Sequence, residues 1–327
     1  MKEPRNLKWR WGVKRWIVLG IAVLGAYLAI KFSPIMPHIQ VAPEIISKKI
    51  FTLPVIGDFY LSNTLLATFI VYLILFVLAY IVKSSVAKGG LVLTGVAGAI
   101  EAVVEMLYNL AESTAGKYAR MIFPYFLTIV LVVVMANWME LLPGVDSIGK
   151  LEPSPHGYPT ETIVGNISTI VKPAQEHAAT GELYQVVPFV RVPSTDLNFT
   201  AALALIAVIM TQVIGVRTQG IRYFTKFFNF TTMFKKPFFG ALDFAVGLLE
   251  LISEFSKILS FAFRLFGNIF AGSVLLFIVG SMIPFFMQSA ILIFEFAIGL
   301  IQAFVFGMLT LVFMTQATQG HTQESHD

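Results

Sequence analysis

The chain has 327 residues, of which 57% are hydrophobic and only 13% charged, and its mean hydropathy is +0.78. Soluble domains carry about 25% charged residues, so a water-soluble fold is excluded as the main architecture. The absence of cysteine excludes disulfides and thiolate metal sites. The five His show no metal-ligand spacing, and neither a GxxxxGK(S/T) phosphate loop nor a GxSxG elbow occurs, so a self-contained ATPase or hydrolase is not expected. No cofactor or metal is expected either. The net charge of +4 comes from short basic clusters beside apolar runs, which is not a nucleic-acid pattern.

The first apolar run, Trp16 to Ile30, follows Lys2, Arg5, Lys8, Arg10, Lys14 and Arg15. No small-x-small cleavage site follows it, so a retained anchor helix is expected rather than a removed leader. The second run, 60–82, is long enough to span at ~20 residues. Residues 93–118 read differently. Glu101, Glu105, Asn109 and Glu112 recur at helical spacing between Ile100, Val103, Val104, Leu107 and Leu110, as in an amphipathic helix lying in the interface plane. Spans follow at 121–142 and 197–216, separated by a Pro-, Gly-, Ser- and Thr-rich surface excursion at 143–196.

The last two apolar stretches, 238–276 and 283–314, each exceed 30 residues. About 35 residues make ~50 Å of helix, so such helices must tilt strongly in a hydrocarbon core of ~30 Å. The fold class is therefore an all-α integral membrane protein. It has about six transmembrane helices, the last two long and strongly tilted, and one interfacial helix. A basic N-terminus with an anchor helix and linker (1–59), a core (60–320) and a tail (321–327) make up the chain. Fifteen Lys and Arg cluster in the N-terminus, at Lys83 to Arg120 and at Arg217 to Lys236, against six in 31–49 and 143–196. The positive-inside rule then places both termini in the cytoplasm and the 143–196 loop on the opposite face.

Charge inside the long helices is the functional signal. At 100° per residue, Asp243, Glu250, Glu254, Lys257, Arg264 and Asn268 share a stripe about 80° wide. Gln288, Glu295 and Gln302 recur every seven residues on the next helix. An ionisable group near the bilayer centre costs ~2.5 kcal/mol or more, so these groups face a partner, water or one another. Glu250, Glu254 and Lys257 are spaced to pair among themselves. Arg264 is ten residues, ~15 Å, beyond Glu254, and arginine cannot shed its charge. It needs an acidic partner from elsewhere, with Glu295 and Glu140 as internal alternatives.

Ser260-Phe-Ala-Phe-Arg264-Leu-Phe-Gly-Asn268-Ile-Phe-Ala-Gly272 resembles the signature of F-type ATP synthase subunit a. Ile301-Gln302-Ala-Phe-Val-Phe is similar to its last-helix motif. Asn137-Trp-Met-Glu140-Leu-Leu-Pro143 and Val192-Pro-Ser-Thr-Asp196-Leu-Asn198 resemble two further motifs. The ordered likeness covers about 58–318. It implies that Arg264 is the stator cation facing the rotor c-ring, with Gln302 opposite and Asn268 and Ser260 one turn to either side. It implies a half-channel acid on the ATP-making side at Glu250, and polar groups of the opposite half-channel at Asn137 and Glu140. Asp196 and Asn198 belong to the same implied set, and Glu254 is an exit-channel or structural residue. Two positions depart from the pattern: Ser273 stands where many members carry an acid or His, and Glu295 where many carry His. Entry through Glu295 is the implied inlet. The implied partners are the c-ring, peripheral-stalk b subunits and membrane lipid, in a bacterial plasma membrane, with no nucleic acid. A secondary ion or solute transporter with a charged midplane site is the alternative reading. No internal repeat or broken-helix pair accompanies it.

Overall fold

The computed structural model describes residues 15–20, 23–25, 27, 40–54, 57–88, 93–165, 167–171, 183–227, 237–282 and 287–319. Residues 15–20 are helical, while much of the expected anchor run and all of the tail 321–327 lie outside the described residues. Six longer helices follow: α1 (Asn63–Ala87), α2 (Gly95–Ala115), α3 (Ala119–Trp138), α4 (Leu197–Gln219), α5 (Pro237–Met282) and α6 (Met287–Thr318). Among the described residues, five stretches are long and apolar enough to cross a membrane: Asn63–Ala87, Gly95–Leu141, Leu197–Thr225, Phe244–Gly280 and Met287–Thr318. The fold is that of an all-α integral membrane protein.

Each helix boundary has a local cause. Ser62 caps α1 by accepting a hydrogen bond from Leu65 N at 3.3 Å, so the helix begins three residues inside the apolar run. Asp196 caps α4 by accepting from Asn198 N at 2.8 Å, an anion at the positive end of a helix. Helix α2 stops at Gly116, whose φ of +53° is cheap only for glycine. A 3-10 turn at Gly116–Tyr118 then leads straight into α3. The amphipathic pattern of α2 is realised: Leu107, Ala111 and Ala115 are buried one turn apart, while Glu101, Glu105, Asn109 and Glu112 are exposed. The expected 238–276 span is a 46-residue helix, and the expected 283–314 span a 32-residue one.

The 143–196 excursion carries secondary structure that its composition does not announce. Strands β3 (Pro143–Asp146), β4 (Gly149–Tyr158), β5 (Thr160–Val164), β6 (Ile167–Ile170) and β7 (Tyr184–Pro188) lie in it. Strand β4 pairs with β7, and β5 with β6 antiparallel. Before α1, strands β1 (Phe51–Leu53) and β2 (Gly57–Phe59) form a hairpin, held also by stacked Phe51 and Phe59.

The chain divides into two compact units. One comprises Met1–Gln40, Gly149–Val187 and Ala271–Glu295; the other Val41–Ile148, Pro188–Phe270 and Phe296–Asp327. The larger unit holds the main core. Leu107, Ile122, Phe126, Val133, Ala204, Leu265, Phe306 and Met314 meet there from five helices. Adding a Cβ to Gly307 would overlap Val130, so α6 and α3 approach closely at that point. In the smaller unit, the end of α5 and the start of α6 form a helical hairpin in which Gly272 meets Glu295 and Gly280 meets Gln288.

Candidate functional site

The polar stripe of α5 resolves into groups with different surroundings. Arg264 is exposed on the helix face, and among the described residues it makes no ion pair; Ser260 Oγ accepts from its Nη2 at 3.5 Å, a long contact. One turn on, Asn268 Nδ2 donates to Gln302 Oε1 of α6 at 2.6 Å. Gln302 is buried at 4% exposure, and its Nε2 has no hydrogen-bond partner among the described residues. The amides thus tie α5 to α6 beside a guanidinium that meets no anion among the described residues. Among the described residues Arg264 forms no ion pair with Glu140, one of its internal alternatives.

Towards the start of α5, Glu254 is buried and fully engaged. Lys257 Nζ lies 2.9 Å from Glu254 Oε1, and Gln212 Nε2 donates to Oε2 at 3.0 Å. Tyr223 OH donates to Gln212 Oε1 at 2.7 Å. Tyr223 lies over Gly215, where any Cβ would overlap its ring. The 3-10 stretch Gly220–Lys226 folds it back onto α4. Lys257 Nζ also sits 4.6 Å from the Phe313 ring centroid. A largely apolar groove of about 550 Å³ opens beside this network, lined by Gln212, Glu254, Phe227, Leu251 and Phe255 among others. Glu250 is half-buried one turn earlier.

At the other end of the larger unit, Asn137 is buried and donates through Nδ2 to Gly299 O of α6 at 3.0 Å. Its Oδ1 is buried without a partner among the described residues. Trp138 stacks on Phe296 and donates to its carbonyl at 3.2 Å. Glu140 follows, half-buried in the 3-10 turn Met139–Leu141. Asp196 is buried and accepts from Thr64 Oγ1 at 2.7 Å while it caps α4; Asn198 is exposed. Close by, burial pushes the Asp146 carboxyl up to about 6, against the pull of Arg191 and with a further push from Glu44.

In the smaller unit, Glu295 is 4% exposed, and neither carboxylate oxygen has a hydrogen-bond partner among the described residues. It packs on Gly272, where a Cβ would overlap the carboxylate. Ser273, the other departure, is buried beside it in sequence.

Sequence reasoning did not single out Gln212, Tyr223, Asn63 or Thr64. The signal is weakest for Gln212 and Thr64, which join their partners across 42 residues to Glu254 and 132 to Asp196. Among the described residues no group of three His, Asp or Glu is placed to hold a metal.

Fold and polar groups together define a multi-pass helical membrane protein with buried polar chemistry concentrated on its two longest helices. The family profile for ATP synthase A chain matches residues 65–315. ATP synthase subunit a of Aliivibrio fischeri (strain MJ11) is 32% identical over 244 residues, covering 71% of this chain and 76% of that one. Subunit a of Mycobacterium ulcerans is 27% identical over 274 residues, covering 81% and 89%. That of Legionella pneumophila is 25% identical over 271 residues, covering 83% and 92%. The chain belongs to the ATP synthase A chain family. Its setting is thus the membrane part of an ATP synthase complex, in ATP synthesis and proton transport. Membership sets aside the secondary-transporter alternative.

Proposed function

We propose that this chain is the proton-translocating stator subunit of an F-type ATP synthase, and that Arg264 is the fixed cation met by the rotor carboxylates. The observation that carries this reading is Arg264, exposed midway along a 46-residue apolar helix and without an ion-pair partner among the described residues. A permanent cation at that depth is costly unless a second chain brings the anion.

As a rotor carboxylate approaches, the guanidinium stabilises its charged form, lowers its pKa and releases its proton. The same cation repels protons that would leak between the two half-channels. One half-channel, on the ATP-making side, runs past Glu250, with the Glu254–Lys257 pair shaping its wall. The other passes Asp196, Glu140 and Asn137, whose carboxylates relay protons while the amides and Ser260 hold water; Glu295 is a further relay acid. Asn268 and Gln302 hold the two long helices in register beside the cation. The driving force is ~2.3 kcal/mol per charge per 100 mV. The subunit has no catalytic centre of its own and works with the c-ring and the peripheral-stalk b subunits. It lies in a bacterial plasma membrane with both termini cytoplasmic.

The test is Arg264→Ala in the assembled complex, with ATP-driven proton pumping measured in sealed vesicles and ring co-purification checked alongside. Lost pumping with intact assembly is expected, accompanied by a passive proton leak. Normal pumping by the variant would refute the stator-cation role.

A further inference from the structure

We propose that Glu44 is a proton-entry residue of the half-channel that opens on the side of the 143–196 loop, held at its mouth by Asn63 and serving Asp196. The proposal rests on the stator reading above and extends it to a segment before the family match, which starts at residue 65.

Residues 41–62 run back over the start of α1. Backbone contacts already fix this strap: Ile45 bridges Ser62, Ile46 N donates to Leu61 O at 2.9 Å, and Asn63 N donates to Glu44 O at 3.0 Å. Ser47 Oγ accepts from Leu61 N at 2.9 Å. The Glu44 carboxylate is therefore not needed to pin the strap. It is nevertheless set in one place. Asn63, fully buried, donates through Nδ2 to Glu44 Oε2 at 3.3 Å and accepts from Glu44 N at 3.2 Å. The same Asn63 oxygen accepts from Thr64 N at 2.9 Å, and Thr64 Oγ1 donates to the buried Asp196. One amide thus binds both the half-buried acid on the strap and the backbone of the residue whose hydroxyl meets the buried acid. In the turn that leads to Asp196, Ser194 is fully buried and its Oγ has no partner among the described residues.

Charged groups surround Glu44 from every packed element. Arg191 donates to Ala42 O at 3.1 Å and to Thr195 Oγ1 at 3.2 Å. Asp146 comes from β3 and Asp196 from the start of α4. On the strap itself, Lys48 is exposed and Lys49 pairs with Asp58 at 2.6 Å. The Glu44 charge reaches Asp146, whose carboxyl it helps to push up after burial and against Arg191. In the step proposed, Glu44 takes a proton from solvent and passes it, through solvent at this mouth, to the Asp196 carboxylate. Asn63 is a positioning residue, since an amide carries no titratable proton.

The test uses the complete complex in proteoliposomes, with ATP synthesis driven by a constant potassium diffusion potential while the pH on the strap side is varied. Glu44→Gln is expected to equal wild type at acid pH and to lose rate as that pH rises, its half-maximal point moving down by roughly one unit, a tenfold change in proton concentration. Glu44→Asp is expected to restore the profile. The chain has no native cysteine, so Glu44→Cys gives a second readout if Gln impairs assembly. A carboxylate-bearing thiol reagent restores the profile and a neutral one does not. An unchanged profile, or an equal loss at every pH, overturns the proposal. Arg264→Ala, run in parallel, separates the two ideas: if it pumps normally the stator reading itself fails, whereas if it is dead and Glu44→Gln is wild-type, only the role of Glu44 fails.

Discussion

Glu295 depends on a missing side chain. Its carboxylate fits against α5 only because residue 272 has no Cβ, and overpacking such a site costs about 1–3 kcal/mol. Gly272→Ala is expected to displace the carboxylate and cut ATP-driven proton pumping severalfold. Gly280→Ala, whose new methyl would meet Gln288 at an ordinary 3.5 Å, is expected to leave pumping unchanged. Equal effects of the two in vesicle assays would rule out a specific demand for space at Gly272. At this scale the sequence was informative where chemistry is costly. Arg264 announces itself because no residue on its own stripe can neutralise it, and Asn268 and Gln302 because amides are rare in apolar helices. Of the groups around Glu254, only Lys257 was legible. Lys257 is three residues away on the same helix, but Gln212 and Tyr223 arrive from α4 and the turn beyond it, and their spacing carries no periodic mark.

Helix contacts follow the small residues. Gly299 lies against Asn137 and Trp138, and Gly307, two turns later, against Val130 and Phe126. The order runs oppositely along the two helices, so α3 and α6 are antiparallel, with backbones brought close by glycine as in membrane helix pairs generally. Gly307→Val is expected to push α6 off α3, weakening the Asn137–Gly299 hydrogen bond and lowering the complex's thermal midpoint. Thermal unfolding of the detergent-solubilised complex checks this; an unchanged midpoint would show that the approach has slack. Helix number, length and the amphipathic face of α2 were readable from hydropathy and a 3.6-residue period. The strands of the 143–196 excursion were not: β5 is exposed throughout and β4 carries Pro153 and Pro155, so the apolar alternation that marks a half-buried strand is missing.

Across the whole molecule, the helical core and the 143–196 excursion differ in what they bury. Strand β5 is exposed along its whole length, and β6 is exposed or half-buried. Replacing residues 160–170 by a short flexible linker is expected to change stability by no more than ~0.5 kcal/mol and to leave ATP synthesis intact, as thermal unfolding and synthesis assays would show. A marked loss would mean that the hairpin contacts another subunit.

Length is a different matter within α5. Its 46 residues are helical without interruption, so every side chain along it shares one angular phase. Inserting a single residue between Glu254 and Arg264 would turn one of them by about 100° relative to the other, and advance it by ~1.5 Å. Even a seven-residue insertion, which nearly restores the angle, would slide the cation ~10 Å along the axis. The helix therefore acts as a ruler. Its letters can be exchanged one at a time, but none can be added or removed between the marks, and changes of chain length belong to the loops.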